Sequence, residues 1–332
     1  MRISVFGFLG DGAGASPVDA FVAELERMRA EGFRRMWAAQ MPQEPDLLTV
    51  LAVALREVPD IEVGTGVVPI QAQHPMSLAQ RALTTNLIGS GRLTLGLGLS
   101  HRAVTEGQWG ISWDRPVRRM GEYLDGLLPL LAGDQADATG ELLTTRGRLR
   151  IPGAPAPEVY LAALGPQLLR LAGRRTAGTV TWMTGPRTLR EHVLPTLTAA
   201  AAEVGRTARV VASLPVAVTD DVDAARTLAA RRFAIYGRLP SYRAMLDREG
   251  YAGPADAAIV GDEAEVAGRL AELREIGVAE FVGLPLAADA EGAARTRAAL
   301  RAAEGTEGTE LPAGATAPHE AAEADVLDVA RR

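Results

Sequence analysis

The chain of 332 residues contains no cysteine. Disulfides, thiolate nucleophiles, iron–sulfur clusters and cysteine-ligated zinc are thereby excluded. Lysine is absent too, so all 35 basic residues are arginine. That removes Schiff-base chemistry and the lysine of a P-loop. The four histidines are His74, His101, His192 and His319, and no two of them share metal-ligand spacing. No metal site is expected. No GxSxG motif marks a serine hydrolase. No window approaches the ~18 uninterrupted apolar residues of a membrane span. "MRISVFGFLG" also lacks the long apolar core and cleavage site of a signal peptide. A cytoplasmic protein with no membrane partner is expected. The net charge is −6, and the basic residues read as scattered, which argues against a nucleic-acid surface. With so few side chains fit for chemistry, any reaction is expected to be carried by an organic cofactor.

What is present is 47% hydrophobic residues, arranged in short apolar runs that alternate with helical patterns. Strands are expected over 3–8, 33–39, 61–68, 92–98, 159–164, 178–183, 209–218 and 279–285. Helices are expected over 16–32, 46–57, 75–88, 117–132, 186–204, 263–276 and 289–303. Another ends at Arg174, another follows Asp220, and a hairpin is expected over 138–151. Ser16 is placed to cap the first helix and Pro17 sits in its first turn. Several of the strands are apolar throughout, which reads as a parallel sheet buried on both faces. The count and length predict an α/β fold, a (β/α)8 TIM barrel over 1–303, with insertions after strands four and seven. Two doubly wound sheets are the alternative. The segment 304–332, rich in Gly, Thr, Pro and acid, reads as a largely disordered C-terminal tail.

Barrel enzymes place their chemistry at the C-terminal ends of the strands. Here those ends carry small, apolar or amide-bearing residues, which suits a flat ring held by shape and backbone hydrogen bonds. "RLTLGLGLSH" (92–101) is the most informative of them. As a dinucleotide loop it fails: His101 occupies the third glycine position, and the next clear helix waits until about residue 117. As strand four, alternating glycine with leucine leaves one side bare. Either a planar cofactor lies on that side with His101 at the rim, or the glycines merely relieve crowding in the barrel.

"GTGVVPIQAQHPMSLAQRALTTNLIGSGRLTLGLGLSH" (64–101) resembles the bacterial luciferase-like superfamily, in particular the branch of oxidoreductases that uses the deazaflavin coenzyme F420. "LAALGPQLLRLAGRRTAGTVTWMTGP" (161–186) and "IYGRLPSYRAMLDREG" (235–250) are similar to the same branch. The resemblance covers about residues 1 to 300 and implies a TIM barrel, commonly dimeric. It implies a non-prolyl cis peptide at Gly66–Val67 against the face of the deazaflavin, with Thr65 beside it. Phe8, Gln40, Gly98, Ser100 and His101 would meet the ring from neighbouring strand ends. Gly165, Pro166 and Gln167 would meet the cofactor phosphate at a helix start, flanked by Trp182 and Met183. Trp37, Met41, Tyr236, Tyr242 and Arg243 would shape the substrate pocket. Packing alone is the competing explanation for Trp182, Tyr236, Tyr242 and Arg243. Arg118 and Arg119 either meet the anionic tail of F420 or are solvated surface arginines. The chain departs from the branch where some members carry a histidine after strand two and a glutamate after strand four. Here those places hold Gln40–Met41 and His101.

His101 is the one residue of this set able to trade protons near neutral pH. It is expected either to donate a proton after hydride transfer or to bind a cofactor hydroxyl. His74 is read as structural or cofactor-side, and His192 as a surface or packing residue. The expected function is an F420H2-dependent reductase acting on an activated C=C or C=N bond of a small molecule or peptide natural-product precursor, dehydroamino acid residues among the candidates. Alcohol oxidation in the reverse direction, an FMN-dependent monooxygenase and a non-catalytic flavin- or deazaflavin-binding protein remain as alternatives. A homodimer is expected.

Overall fold

Each of the eight apolar runs forms a strand. In the computed structural model, which describes residues 1–9 and 16–304, these are β1 (Arg2–Phe6), β2 (Arg35–Ala38), β3 (Glu62–Thr65), β4 (Leu93–Gly98), β5 (Glu158–Ala162), β6 (Gly178–Trp182), β7 (Arg209–Val218) and β8 (Glu280–Pro285). All pair in parallel in chain order. β1 also pairs with β8, Arg2 opposite Glu280 and Val5 opposite Gly283, so the sheet closes on itself. The doubly wound alternative is excluded by that closure.

Helices α1 (Pro17–Ala30), α2 (Leu47–Glu57), α3 (Pro75–Ile88), α4 (Pro116–Leu131), α5 (Pro166–Arg175), α6 (Leu194–Ala202), α7 (Val222–Arg232), α8 (Pro240–Glu249), α9 (Glu263–Ile276) and α10 (Ala290–Ala302) surround the ring. Short polar side chains start many of them. Ser16 accepts from the amide of Asp19 at 3.2 Å, Asp46 from Thr49 at 3.0 Å and Asp262 from Glu265 at 2.8 Å. Each satisfies an amide that a helix start leaves without a partner. The helix expected over 186–204 is interrupted. A π turn, Leu189–Val193, separates the turn Pro186–Thr188 from α6. It lies just before Pro195, whose ring cannot sit against the carbonyl four residues back.

The insertion after β4 holds a single turn (Arg102–Thr105), α4 and a hairpin of Ala136–Thr139 with Thr144–Gly147. The insertion after β7 holds α7, a 3-10 turn (Ala234–Gly237), α8 and a short strand, Ile259–Gly261, that pairs with β7. The sequence pattern did not reveal α8 because it buries only Met245 and Leu246, too little for a periodic apolar face. The expected C-terminal tail lies, except for Glu304, outside the described residues. None of the described helices is long and apolar enough to cross a membrane.

Six of the eight strands begin with a charged residue: Arg2, Arg35, Glu62, Glu158, Arg209 and Glu280. These pair across the N-terminal end of the barrel. Arg2 meets Glu62 at 2.7 Å and Arg35 meets Glu280 at 2.7 Å, while Arg35 also reaches Glu62 and Arg209 reaches Glu158. Above this layer lie Trp37, Tyr160, Val180, Val211 and Val282.

Candidate active site

The mouth of the barrel is shaped by an irregularity between β3 and β4. Gly64 pairs with Thr94, and the next pair along is Val68 with Leu97. The chain thus spends four residues on one side and three on the other, which makes a bulge. The Gly66–Val67 bond inside the bulge is cis, as expected. The extra residue leaves Gly96 without its ladder partners, and the Thr65 hydroxyl replaces them. It accepts from the Gly96 amide at 2.7 Å and donates to the Gly96 carbonyl at 2.8 Å. A Cβ on Gly96 would lie 2.0 Å from the Thr65 carbonyl oxygen, and one on Gly98 would lie 2.5 Å from Val67. The two glycines of "GLGLSH" therefore make room for the bulge. The side left bare by the sequence is filled by Thr65 and Val67, which corrects the expectation that Gly98 lies bare against the cofactor.

Other expected site residues are committed elsewhere. Trp37 is fully buried, and its indole N–H donates to Glu280 at 2.8 Å, so it belongs to the barrel interior and not to a substrate pocket. The Thr65 hydroxyl is consumed by Gly96. Gln40 uses its side chain to accept from Leu47 at 2.6 Å and to donate to the Met41 carbonyl at 3.0 Å. Its backbone amide, in contrast, holds the Val67 carbonyl at 3.2 Å. Met183 is fully buried at a positive φ of 53° and points into the core. Arg243 donates to Asp247 at 2.8 Å and to the Tyr251 and Ala252 carbonyls at 2.7 and 3.0 Å, clamping the loop after α8 instead of facing a pocket. Arg118 pairs with Glu141. His74 caps α3, accepting from the Met76 amide at 3.2 Å through Nδ1, with Nε2 2.9 Å from the Thr144 carbonyl. His192 sits 2.9 Å from the Leu164 carbonyl. Both are structural.

Several residues do converge. His101, at the end of β4, has its ring 5.9 Å from that of Tyr242. Tyr242 lies 4.9 Å from Tyr236, and Tyr236 lies 5.8 Å from Trp182. Phe233, which sequence reasoning missed, packs 5.7 Å from Trp182. Ser100 turns the chain into His101 at a positive φ of 58°. Phe8 and Met41 are 44% and 43% exposed at the ends of β1 and β2. Burial lowers the His101 pKa below its ordinary value near 6.5, so the ring is neutral at pH 7. Burial likewise raises the Tyr236 and Tyr242 hydroxyls, which stay protonated.

Two helix starts face the same rim. At α5 no side chain caps Gly165–Pro166–Gln167, all three are exposed, and the space beside Gly165 is open. Pro166 has no N–H, which leaves the amides of Gln167 and Leu168 as the free donors of a positive dipole end. The helix starting at Pro186 is different. Glu249 of α8 accepts from Arg187 at 2.9 Å and Thr188 at 2.6 Å. No local pattern in the sequence pointed to Glu249, because its partners lie about sixty residues earlier in the chain. An anionic group thus fits the start of α5, while the side of Gly66 that lacks a Cβ is packed by Phe6 and Trp37.

Comparison with known proteins matches most of the chain. The model of a family described as luciferase-like monooxygenase matches residues 1–280. An uncharacterised protein of Mycobacterium bovis is 30% identical over 253 residues, 71% of this chain and 73% of that one. The F420-dependent glucose-6-phosphate dehydrogenase of Beutenbergia cavernae is 31% identical over 204 residues, 59% of this chain and 60% of its own. The coenzyme F420-dependent tetrahydromethanopterin reductase of Methanopyrus kandleri superposes with a TM-score of 0.75 at 20% identity, covering 90% of this chain and 97% of that one, which shows a shared fold. A type II Baeyer-Villiger monooxygenase of Pseudomonas putida in complex with FMN also superposes, with a TM-score of 0.68 at 18% identity, covering 92% of this chain and 96% of that one.

Proposed function

Because the chain belongs to the luciferase-like monooxygenase family, we propose that it is an oxidoreductase that uses coenzyme F420. Its reaction on this reading is hydride transfer to an activated C=C or C=N bond of a small molecule or natural-product precursor. The observation that carries the reading is the Gly66–Val67 bulge, for which Gly96 and Gly98 clear the space. The F420-dependent relatives in the family support the choice of cofactor.

When bound, reduced F420 supplies a hydride and no proton-active side chain is needed for that part of the chemistry. The protein's share is binding, orientation and proton handling. Gly66 and Val67 back one face of the ring site. The free amides of Gln167 and Leu168 at α5 are suited to the phosphate. Phe8, Trp182, Tyr236 and Tyr242 keep water from the mouth and lower its dielectric. His101 is the residue able to hold or move a proton beside the substrate.

One observation favours a second direction. A His101 held neutral is a base, and a base is needed to take the hydroxyl proton in alcohol oxidation. Measuring the initial rate in both directions with the same substrate pair separates these. The family description also keeps an FMN monooxygenase in view. The deciding experiment titrates the full chain with F420 and with FMN under matched conditions and follows oxygen uptake. F420 binding at least about tenfold tighter, a difference of ~1.4 kcal/mol, without substrate-dependent oxygen uptake supports the proposal. Tighter FMN binding with oxygen uptake sinks it.

A further inference from the structure

The basic residues are less evenly spread than their scatter along the chain suggests. Residues 224–246 carry five arginines and no aspartate or glutamate, in a chain of net charge −6. This segment is the strap that leaves β7, runs through α7 and the 3-10 turn, and enters α8. It is held over the barrel mouth at three points. Phe233 packs on Trp182, Tyr242 packs near His101, and the Arg232 guanidinium lies 5.5 Å from the centre of the Phe8 ring. β7 is the fourth neighbour of β3 in a ring of eight strands. The strap therefore faces the Gly66–Val67 bulge from the opposite side of the mouth.

Arg243 is spent on Asp247 and the loop carbonyls. Arg231, Arg232 and Arg238 are exposed, and none of them pairs with a carboxylate among the described residues. Other exposed arginines of the two insertions divide: Arg115 and Arg118 share Glu141, whereas Arg148, Arg150, Arg226 and Arg248 form no ion pair among the described residues. Arg232 lies against Phe8, which is 44% exposed; Ile235 on the strap and Met41 at the end of β2 are exposed apolar side chains too, at 47% and 43%. A cation held against an aromatic face next to uncovered apolar surface is complementary to a molecule with an apolar body and an anionic oxygen group.

We propose that the strap selects the substrate. Arg231, Arg232 and Arg238 bind its carboxylate or a similar anionic group, while its apolar body lies on Phe8, Met41 and Ile235. The inference rests on the functional reading above only in taking the mouth as the reaction site. The cofactor's own anionic chain is assigned elsewhere, because α5 offers free amides on the β5 side.

The test uses the full chain and two probes of equal chain length, octanoate and octanol, titrated by ligand-observed NMR. Octanoate should bind at least about tenfold more tightly, since a charge-assisted hydrogen bond to a guanidinium is stronger than one to a neutral hydroxyl. The preference should shrink from about 0.1 M to about 1 M salt, as the Debye length falls from ~10 to ~3 Å. The triple variant Arg231→Gln, Arg232→Gln, Arg238→Gln should lose it at unchanged melting temperature, and the matching triple lysine variant should keep it. Equal binding of the two probes, no binding of either, or a preference that survives in the glutamine variant overturns the proposal. F420 is titrated into the same proteins. Affinity for F420 that falls in the glutamine variant, with the octanoate preference intact, assigns the strap to the cofactor and overturns the substrate role. If the wild type fails to bind F420 while the octanoate preference holds, the strap stands and the cofactor reading falls.

Discussion

The two ends of the barrel use the same eight strands in opposite ways. At the N-terminal end, six strands begin with a charge, and the three arginines and three glutamates are joined in pairs. Glu280 alone receives Ser4 at 2.6 Å, Trp37 at 2.8 Å and Arg35 at 2.7 Å. At the C-terminal end, the residues that finish strands one to six, 6–9, 38–41, 65–69, 98–101, 162–165 and 182–185, include a single titratable side chain, His101. One end has committed all its charges to one another and is finished. The ends of strands one to six carry no charged side chain at the other, whose cations sit on the strap above it, so the chemistry there must come from what binds. Low dielectric serves both ends: it makes the paired end rigid, and it keeps His101 neutral.

The strongest way to break this contrast is to unpair the closed end. Glu280→Ala leaves the buried Arg35 short of a carboxylate and should cost about 3–5 kcal/mol in urea unfolding, the usual penalty for stranding one buried partner. A variant that also carries Arg35→Met should recover part of the loss. Burial alone would raise the Glu62 carboxyl, but Arg35 and Arg2 beside it hold it below its ordinary value. Its contribution is therefore fully present above the usual carboxylate range and is lost as pH falls through its depressed native value, visible as acid unfolding. Glu62→Gln should flatten that acid limb; an unchanged limb would show that this end does not govern acid stability.

At the open end, the effect should fall on rate and not on folding. His101→Ala should lower kcat by about 10²–10⁴-fold at saturating cofactor if the ring moves a proton. In the oxidation direction kcat/KM should rise with pH through an inflection below 6.5, because the free imidazole is the active form. A drop in cofactor affinity with kcat restored at saturation would make His101 an anchor.

Smaller effects sharpen the contrast within the mouth itself. Gly96→Ala forces a Cβ onto the Thr65 backbone and should cost about 1–3 kcal/mol by overpacking, with loss of cofactor binding. Thr65→Val keeps the shape but strands both Gly96 backbone groups, at about 1–3 kcal/mol. Gly165→Ala, with nothing within 4 Å and an ordinary φ of −75°, should change stability by less than about 0.5 kcal/mol. If Gly165→Ala proves as damaging as Gly96→Ala, the start of α5 is not open.

The fold was legible because barrel strands are apolar throughout and punctuated by capped helices. The 209–218 strand and the 75–88 and 263–276 helices have the boundaries that their patterns suggested. The cis bond at Gly66–Val67 was implied by the family resemblance, whereas the glycines of β4 were read as a bare face and are packed by Thr65 and Val67. Side chains were harder to place. Trp37 sits one step from a strand end and turns inward. Gln40 and Arg243 are polar residues that a loop claimed first. The arginine excess on the strap was readable in the sequence, but only its packing on Phe8, Trp182 and His101 gives it a location.

The bond between Ser4 and Glu280 joins residues 276 apart in the chain. During synthesis at ~5–20 residues per second, roughly 14–55 s separate the appearance of these two residues. For that interval β1 has a partner on one side only, and Arg35 has Glu62 but not yet Glu280. An edge strand exposed for so long invites mispairing with a neighbouring chain on the same messenger. The charges that begin six of the eight strands, β1 among them, give those nascent edges a polar end during that wait, so the feature that closes the finished barrel also guards the unfinished one.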